Sequence, residues 1–226
     1  MFFLIGLAAL AACKKSYTVP NTPAFPPQLN VVNATADTLD YFINGTRQNF
    51  AADITPGGAT YYLSVLFGTG NYSFKKAGST VTLFSMPETL DTAANYTLFV
   101  CGETANKSFI QQDILPDTVP SNFSAVRFVN ASPNAGAVDI FVSVGTNVTL
   151  KNCAFKYVSN YMAIKDTVNT VQVYAAGTST MLFSTTFTPI SGPYPYTLFT
   201  QGTPNAKGNS AFSMVQIVDQ PAATVE

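Results

Sequence analysis

Few side chains in this sequence can do acid–base or nucleophilic work. None of its 226 residues is a histidine, which removes the commonest general base and the commonest metal ligand. A Ser-His-Asp or Cys-His site, or an ordinary zinc site, therefore cannot be assembled. Carboxylates remain, and two of them held about 5–9.5 Å apart can hydrolyse a glycosidic bond. Asp40, Asp53, Asp91 and Glu103 are the candidates, but they are scattered and no motif joins them. The expectation is no catalytic residue, no cofactor, and a protein that is not an enzyme. Asp40 and Asp139 occupy matching places in two similar stretches. Calcium takes carboxylate oxygens, yet a calcium loop clusters several acidic residues and these two stand apart. Asp139 is expected instead to accept backbone N–H bonds that fix the turn after Asn130-Ala131-Ser132-Pro133, with no metal.

The cysteines offer a different chemistry. Leu10-Ala11-Ala12-Cys13 has the form of the bacterial lipobox, in which small residues let a peptidase close on the backbone and the thiol takes a diacylglyceryl group. The twelve residues before it are apolar and uncharged, too short for a membrane span of about 20 residues. They read as the core of a signal peptide, residues 1–12. Such signals begin with Lys or Arg and none precedes Phe2, so the true start is expected upstream of Met1. Cys13 is then the lipidation site, and two or more acyl chains give stable anchoring to the membrane. Residues 13–27, rich in Pro and polar side chains, form a semi-extended tether. Localisation follows as cell envelope, lipid-anchored at the outer membrane, with either face open. Cys101 and Cys153 fall in different halves, so only a bridge between halves could join them. Two buried thiols is the expected state.

The elements that position these residues come from a repeat. Val32-Asn33-Ala34-Thr35 returns as Val129-Asn130-Ala131-Ser132, and Asp40-Tyr41-Phe42-Ile43 as Asp139-Ile140-Phe141-Val142. Tyr62 matches Tyr161, Leu83-Phe84-Ser85 matches Leu182-Phe183-Ser184, and Tyr96-Thr97-Leu98-Phe99 matches Tyr196-Thr197-Leu198-Phe199. A period of about a hundred residues exceeds the roughly 20–50 of solenoid units and means tandem domains. Residues 28–118 form the first, 119–122 a linker, and 123–226 the second with a short C-terminal tail. Alternation puts Val138, Ile140 and Val142 on one strand face and Leu39, Tyr41 and Ile43 on its counterpart, with Val171 and Val173 answering Tyr72 and Phe74. Short strands punctuated by Gly and Pro predict an all-β chain, two tandem immunoglobulin-like β-sandwiches of about seven strands each. Each copy is large enough to bury a core of its own.

The run Val126-Arg-Phe-Val-Asn-Ala-Ser-Pro133, a gap, Val138-Asp-Ile-Phe-Val142 and a later Tyr-Thr block resemble the bacterial family called domain of unknown function 4397. The resemblance covers both copies, with Ala36 in place of the Pro in the first. It implies secreted or cell-surface proteins with a β-sandwich and brings no catalytic residues. Asp37-Thr-Leu, Asp91-Thr-Ala, Asp117-Thr-Val and Asp166-Thr-Val resemble the short O-glycosylation motif of Bacteroidetes. A net charge of −1 with eleven scattered basic residues gives no stripe for nucleic acid. Tyr61, Tyr62, Tyr157, Tyr161, Tyr194 and Tyr196 could stack on sugars, although alternation sends several into the core. The reading is a non-catalytic binding or adhesion module with a protein or glycan partner. The alternatives are a structural envelope protein without a small ligand, or a carbohydrate-binding module. Aromatics clustered on one exposed face favour binding; a uniformly polar surface favours the structural role.

Overall fold

The computed structural model describes residues 25–143, 148–189 and 195–220. Cys13, its leader, most of the tether and Tyr194 lie outside the described residues. The first copy forms β1 (Gln28–Asn33), β2 (Leu39–Ile43), β3 (Thr46–Arg47), β4 (Leu63–Ser64), β5 (Gly68–Lys76), β6 (Thr82–Leu90), β7 (Asn95–Val100) and β8 (Ser108–Gln112). The second forms β9 (Phe123–Asn130), β10 (Val138–Ser143), β11 (Val148–Cys153), β12 (Met162–Lys165), β13 (Asn169–Ala175), β14 (Met181–Phe187), β15 (Tyr196–Gln201) and β16 (Ser213–Val218). That is one strand more per copy than expected; in the first copy β3 and β4 have two residues each, too short to show as alternation.

Each copy is a β-sandwich of two four-stranded sheets. The first pairs β4-β1-β7-β8 with β3-β2-β5-β6, the second β12-β9-β15-β16 with β11-β10-β13-β14. β1 lies parallel to β7 and β9 parallel to β15, while the other pairings are antiparallel. Leu29, Val31, Leu98 and Val100 face Leu39, Tyr41, Tyr72 and Phe74 across the first core. Val126, Phe128 and Leu198 face Val138, Ile140, Val171 and Val173 across the second. The alternation in β2, β5, β10 and β13 thus points inward as its spacing requires.

The central strands behave differently. β1, β7 and β9 are buried on both faces apart from their first residues, and β15 throughout. Their second faces meet in a third core of Val32, Phe99 and Cys101 from one copy and Val129 and Phe199, with Ile217 of β16, from the other. Phe99 meets Phe199 edge-on at 6.1 Å and stacks on Phe109 at 5.0 Å, and Phe155 crosses from the second copy to meet Phe109. Lys156 reaches across to the carbonyl of Ser108 at 3.0 Å. Gly57 lies under this seam: its φ of +74° favours glycine, and a side chain there would press on Val215 and Gln201. The chain is a stack of four sheets, with the inner two covered on both sides.

At one end of the seam the facing surfaces are polar. In the first copy Tyr62 Oη and Thr97 Oγ1 donate to Asp113 Oδ2 at 2.7 and 2.6 Å. In the second, Tyr161 Oη donates to Asp219 Oδ2 at 2.8 Å and Thr197 Oγ1 donates to the same oxygen. Arg127 threads between the two sets. Its Nε donates to Thr197 Oγ1 at 2.6 Å, Nη1 to Asp113 Oδ1 and Nη2 to Thr97 Oγ1 at 3.2 Å, and its guanidinium lies 5.0 Å over the Tyr161 ring. Nε is also 3.7 Å from Asp219 Oδ2. At the position of Arg127 the first copy has Asn30, fully buried, whose amide meets no hydrogen-bond partner among the described residues.

One buried cation therefore faces two buried carboxylates, and its removal strands both charges. Arg127→Ala is expected to cost about 3–5 kcal/mol of unfolding free energy, measured by urea titration. Burial lifts the Asp219 carboxyl to about 6, against the opposing pull of Arg127 and Thr197. Between about pH 4 and 6 the folded chain then holds a proton that the unfolded chain releases, so this group's contribution to stability falls as pH rises. The loss is on the order of 3 kcal/mol. Asp219→Asn leaves Arg127 its partner Asp113, and relative to the parent it is expected to gain stability between pH 4.5 and pH 7. Equal differences at the two pH values would show that Asp219 does not titrate in this window.

Candidate functional site

The two copies of the repeated Asn-Ala-Thr/Ser motif end adjacent central strands, and their Asn residues act alike. Asn33 Nδ2 donates to the carbonyls of Asp37 and Ile54 at 2.7 and 2.8 Å, and its Oδ1 accepts from Thr35 N–H at 2.9 Å. Asn130 Nδ2 donates to Gly136 and Cys153 at 3.0 and 2.9 Å, and its Oδ1 accepts from Ser132 N–H and Thr200 Oγ1. Each Asn folds its own turn and staples it to the opposite part of the sandwich. The two turns, with Gly102, Glu103, Gly202 and Thr203, line a groove of about 480 Å³ between the copies.

The turn after Asn130 is thus fixed by Asn130, and not by Asp139 as expected. Asp139 accepts from Asn152 N–H at 2.8 Å, Gly177 N–H at 3.1 Å and Lys151 Nζ at 3.0 Å. The reason is local. The β10–β11 register shifts between Val138 and Ile140, leaving an N–H of the bulged strand for the carboxylate to accept. The Asn152 N–H, then the Gly177 N–H and Lys151, hold the Asp139 carboxyl below its ordinary range against the effect of burial. Asp40 does related work with other partners: Arg47 at 2.5 Å and Asn49 Nδ2 at 3.2 Å. Among the described residues no group of three or more His, Cys, Asp or Glu could hold a metal.

Of the carboxylates considered for hydrolysis, Asp40 and Asp53 come together, both on Arg47 Nη2. The guanidinium lies between them, where a glycosidic oxygen would have to sit. Asp91 is exposed, and Glu103 pairs with Lys76 at 2.7 Å. Cys101 and Cys153 are both free and buried. Burial pushes the Cys101 thiol well up and the Cys153 thiol to about 11, so neither is a nucleophile. Tyr62 and Tyr196 are buried, Tyr157 and Tyr161 half-buried, and Tyr61 is exposed. A cavity of about 440 Å³ under the segment from Ile114 to Asp117 has Arg127 and Tyr161 in its wall. Arg127 is 2% exposed and committed to Asp113, Thr97 and Thr197, so it holds the seam and not a ligand.

The outer face of the second sandwich is different in kind. Phe141 on β10 and Tyr174 on β13 point outward, edge to face at 5.5 Å. They line a shallow cavity of about 370 Å³ whose rim carries Ser143, Thr149, Gln172, Thr178 and Ser179. Lys151 Nζ lies over the Phe141 ring, 4.2 Å from its centre. The first copy has Phe42 at the matching place, but Lys75 covers it at 4.8 Å where the second copy has Tyr174. Alternation shows that Phe141 and Tyr174 leave the core; it does not show that they meet, because their contact needs the β10–β13 register.

None of the curated proteins matches the chain in sequence. Among solved structures, it is similar to a family 41 carbohydrate-binding module from streptococcal virulence factors, described for α-glucan recognition. Identity is 9%, coverage 76% of this chain and 92% of that one, and TM-score 0.25. A family 26 carbohydrate-binding module from Eubacterium rectale Amy13K, in complex with maltoheptaose, matches at 10% identity over 88% and 99% of the two chains, with TM-score 0.28. Scores this low do not establish a common architecture. The family comparison is of another order: one profile matches twice, over residues 27–141 and 124–226, once for each copy of the repeat. The chain belongs to the family described as Domain of unknown function (DUF4397), of which it holds two tandem copies.

Proposed function

We propose that this chain is a lipid-anchored, non-catalytic binding module of the cell envelope, which takes a glycan on the outer face of its second sandwich. The observation that carries the reading is the Phe141–Tyr174 pair, half-exposed on a rigid sheet within a polar rim. An apolar ring face beside hydroxyl and amide groups suits a sugar, whose own faces are apolar and whose edges are hydroxyls. Strands position such groups more firmly than loops do. A purely structural role is less favoured, because it gives no reason for aromatics clustered on one outward face. The anchored part of the reading rests on Leu10-Ala11-Ala12-Cys13 and the Pro-rich segment after it.

Two measurements test the two parts separately. In a glycan array followed by titration calorimetry, Tyr174→Ala is expected to weaken binding roughly tenfold, the value of one lost aromatic contact. Its thermal midpoint should stay close to the parent's, since Tyr174 faces away from the core. Affinity unchanged in Tyr174→Ala would remove this face as the site. In the host, Cys13→Ala is expected to abolish labelling by a fatty-acid analogue and release the protein to the soluble fraction. Labelling that persists would remove the anchor.

A further inference from the structure

Exposed apolar side chains are not spread evenly over the molecule. Phe25, Leu63, Leu66 and Phe67 gather at one edge of the first sandwich, and Leu66 is 81% exposed. Two backbone hydrogen bonds hold this edge: Val65 N–H donates to the Pro27 carbonyl at 3.0 Å, and Ala93 N–H to the Phe25 carbonyl at 2.9 Å. Beside Leu66 lies an apolar groove of about 480 Å³, with Pro26, Ile43, Val65 and Leu66 in its walls. Its outer lip includes Asn44 and Thr46 and no charged side chain. Isolated exposed apolar residues are ordinary, but a grouped set beside a groove marks a contact surface.

The position of this surface says what covers it. Phe25 is where the segment from Cys13 enters the fold, and Lys14 to Ala24 can span at most about 40 Å even fully extended. We infer that the Phe25–Leu63–Leu66–Phe67 edge lies against the lipid surface to which Cys13 is anchored. This deepens the anchored reading and rests on it. Such a short tether holds the edge at high effective concentration near the bilayer, so a weak apolar contact is enough to keep it there. Leu and Phe side chains enter the interfacial layer at little cost, and Asp91, which follows Leu90 opposite Gly68 and so lies beside Phe67, keeps its exposed carboxylate in the headgroup water. The opposite end of β5 and β6, where Val81 lies, would then face away, roughly 30 Å off by the rise of the nine-residue β5.

The sequence has no Trp, so a single introduced Trp reports its own surroundings. The chain beginning at Cys13 is coupled through that thiol to a maleimide lipid in phosphatidylcholine–phosphatidylglycerol vesicles; Cys101 and Cys153, being buried, stay out of the reaction. Leu66→Trp is expected to shift its emission to the blue on vesicles and to be quenched at least twofold by lipids brominated on the acyl chain. Val81→Trp is expected to do neither. Phe67→Trp, an aromatic exchange at an exposed site, repeats the measurement if Leu66→Trp lowers the thermal midpoint. Emission from positions 66 and 67 that is the same on and off vesicles overturns the inference, as does equal quenching at position 81. Chemical coupling replaces acylation by the host, so a negative result here leaves the labelling of Cys13 untouched. A failure of that labelling equally leaves this docking result standing.

Discussion

The architecture depends on covering two sheet faces that a single sandwich leaves bare. β1, β7, β9 and β15 carry apolar residues on both sides, so each copy alone would expose Val32, Phe99 and Cys101 or Val129, Phe199 and Ile217 to water. Burying such side chains contributes about 1.5–3 kcal/mol each for the larger ones, which makes the seam a third core and not a loose contact. Apolar contact alone does not fix how two twisted sheets are set against each other. Arg127 does, because its guanidinium has directional partners on both sides and is worth most in one placement. Its bonds to Asp113 and Thr97 cross the seam, and its bond to Thr197 stays within its own sheet.

This polar centre is built from the repeat and yet departs from its symmetry. Tyr62 and Tyr161, Thr97 and Thr197, Asp113 and Asp219 are matching residues with matching bonds. Arg127 and Asn30 also match in position but differ in charge. Two Arg residues would have put four ionised side chains into a dry interface; one Arg leaves a carboxyl in excess, and burial answers by lifting Asp219. A carboxyl that keeps its proton is the cheaper state for an uncompensated acid in low dielectric. Asn30 carries the remaining cost as an amide without hydrogen bonds among the described residues.

The fold was largely legible in the sequence. Period-two alternation located β2, β5, β10 and β13 and their inward faces, and the repeat located the two sandwiches. What alternation could not show was the fate of the central strands, since Leu29-Asn-Val-Val-Asn33 reads equally as a strand in one sandwich or in a stack of four sheets. Asp113 and Asp219 went unread for a related reason. The loop between β15 and β16 is longer than the one between β7 and β8, so the two carboxylates fall out of the spacing that aligned the other blocks. Asp139 was legible as an acceptor of backbone N–H bonds, but its partners depend on a bulge that no residue type announces. The Phe141–Tyr174 pair was hidden likewise, because it spans a strand pair whose register only tertiary structure fixes.

The four-sheet stack also divides the work among the sheets. The inner two are occupied on both faces and can change little without opening a core or stranding a charge. The outer two bury one face and leave the other to water, so a substitution there alters surface chemistry at small cost to folding. The exchange of Asn30 for Arg127 on the inner sheets is of that costly kind, whereas other positions illustrate the division. On the inner sheets Tyr96-Thr97-Leu98-Phe99 returns unchanged as Tyr196-Thr197-Leu198-Phe199, while on the outer ones Lys75 gives way to Tyr174 and Ser73 to Gln172. Phe42, with Lys75 over its ring, is thereby answered by Phe141 with both Tyr174 and Lys151 against it. The second copy thus carries on its outer face a pair of aromatic rings that the first copy lacks. The seam holds the second sandwich at a fixed attitude to the first, because Phe99 and Phe199 pack across it and Arg127 bonds across it to Asp113 and Thr97.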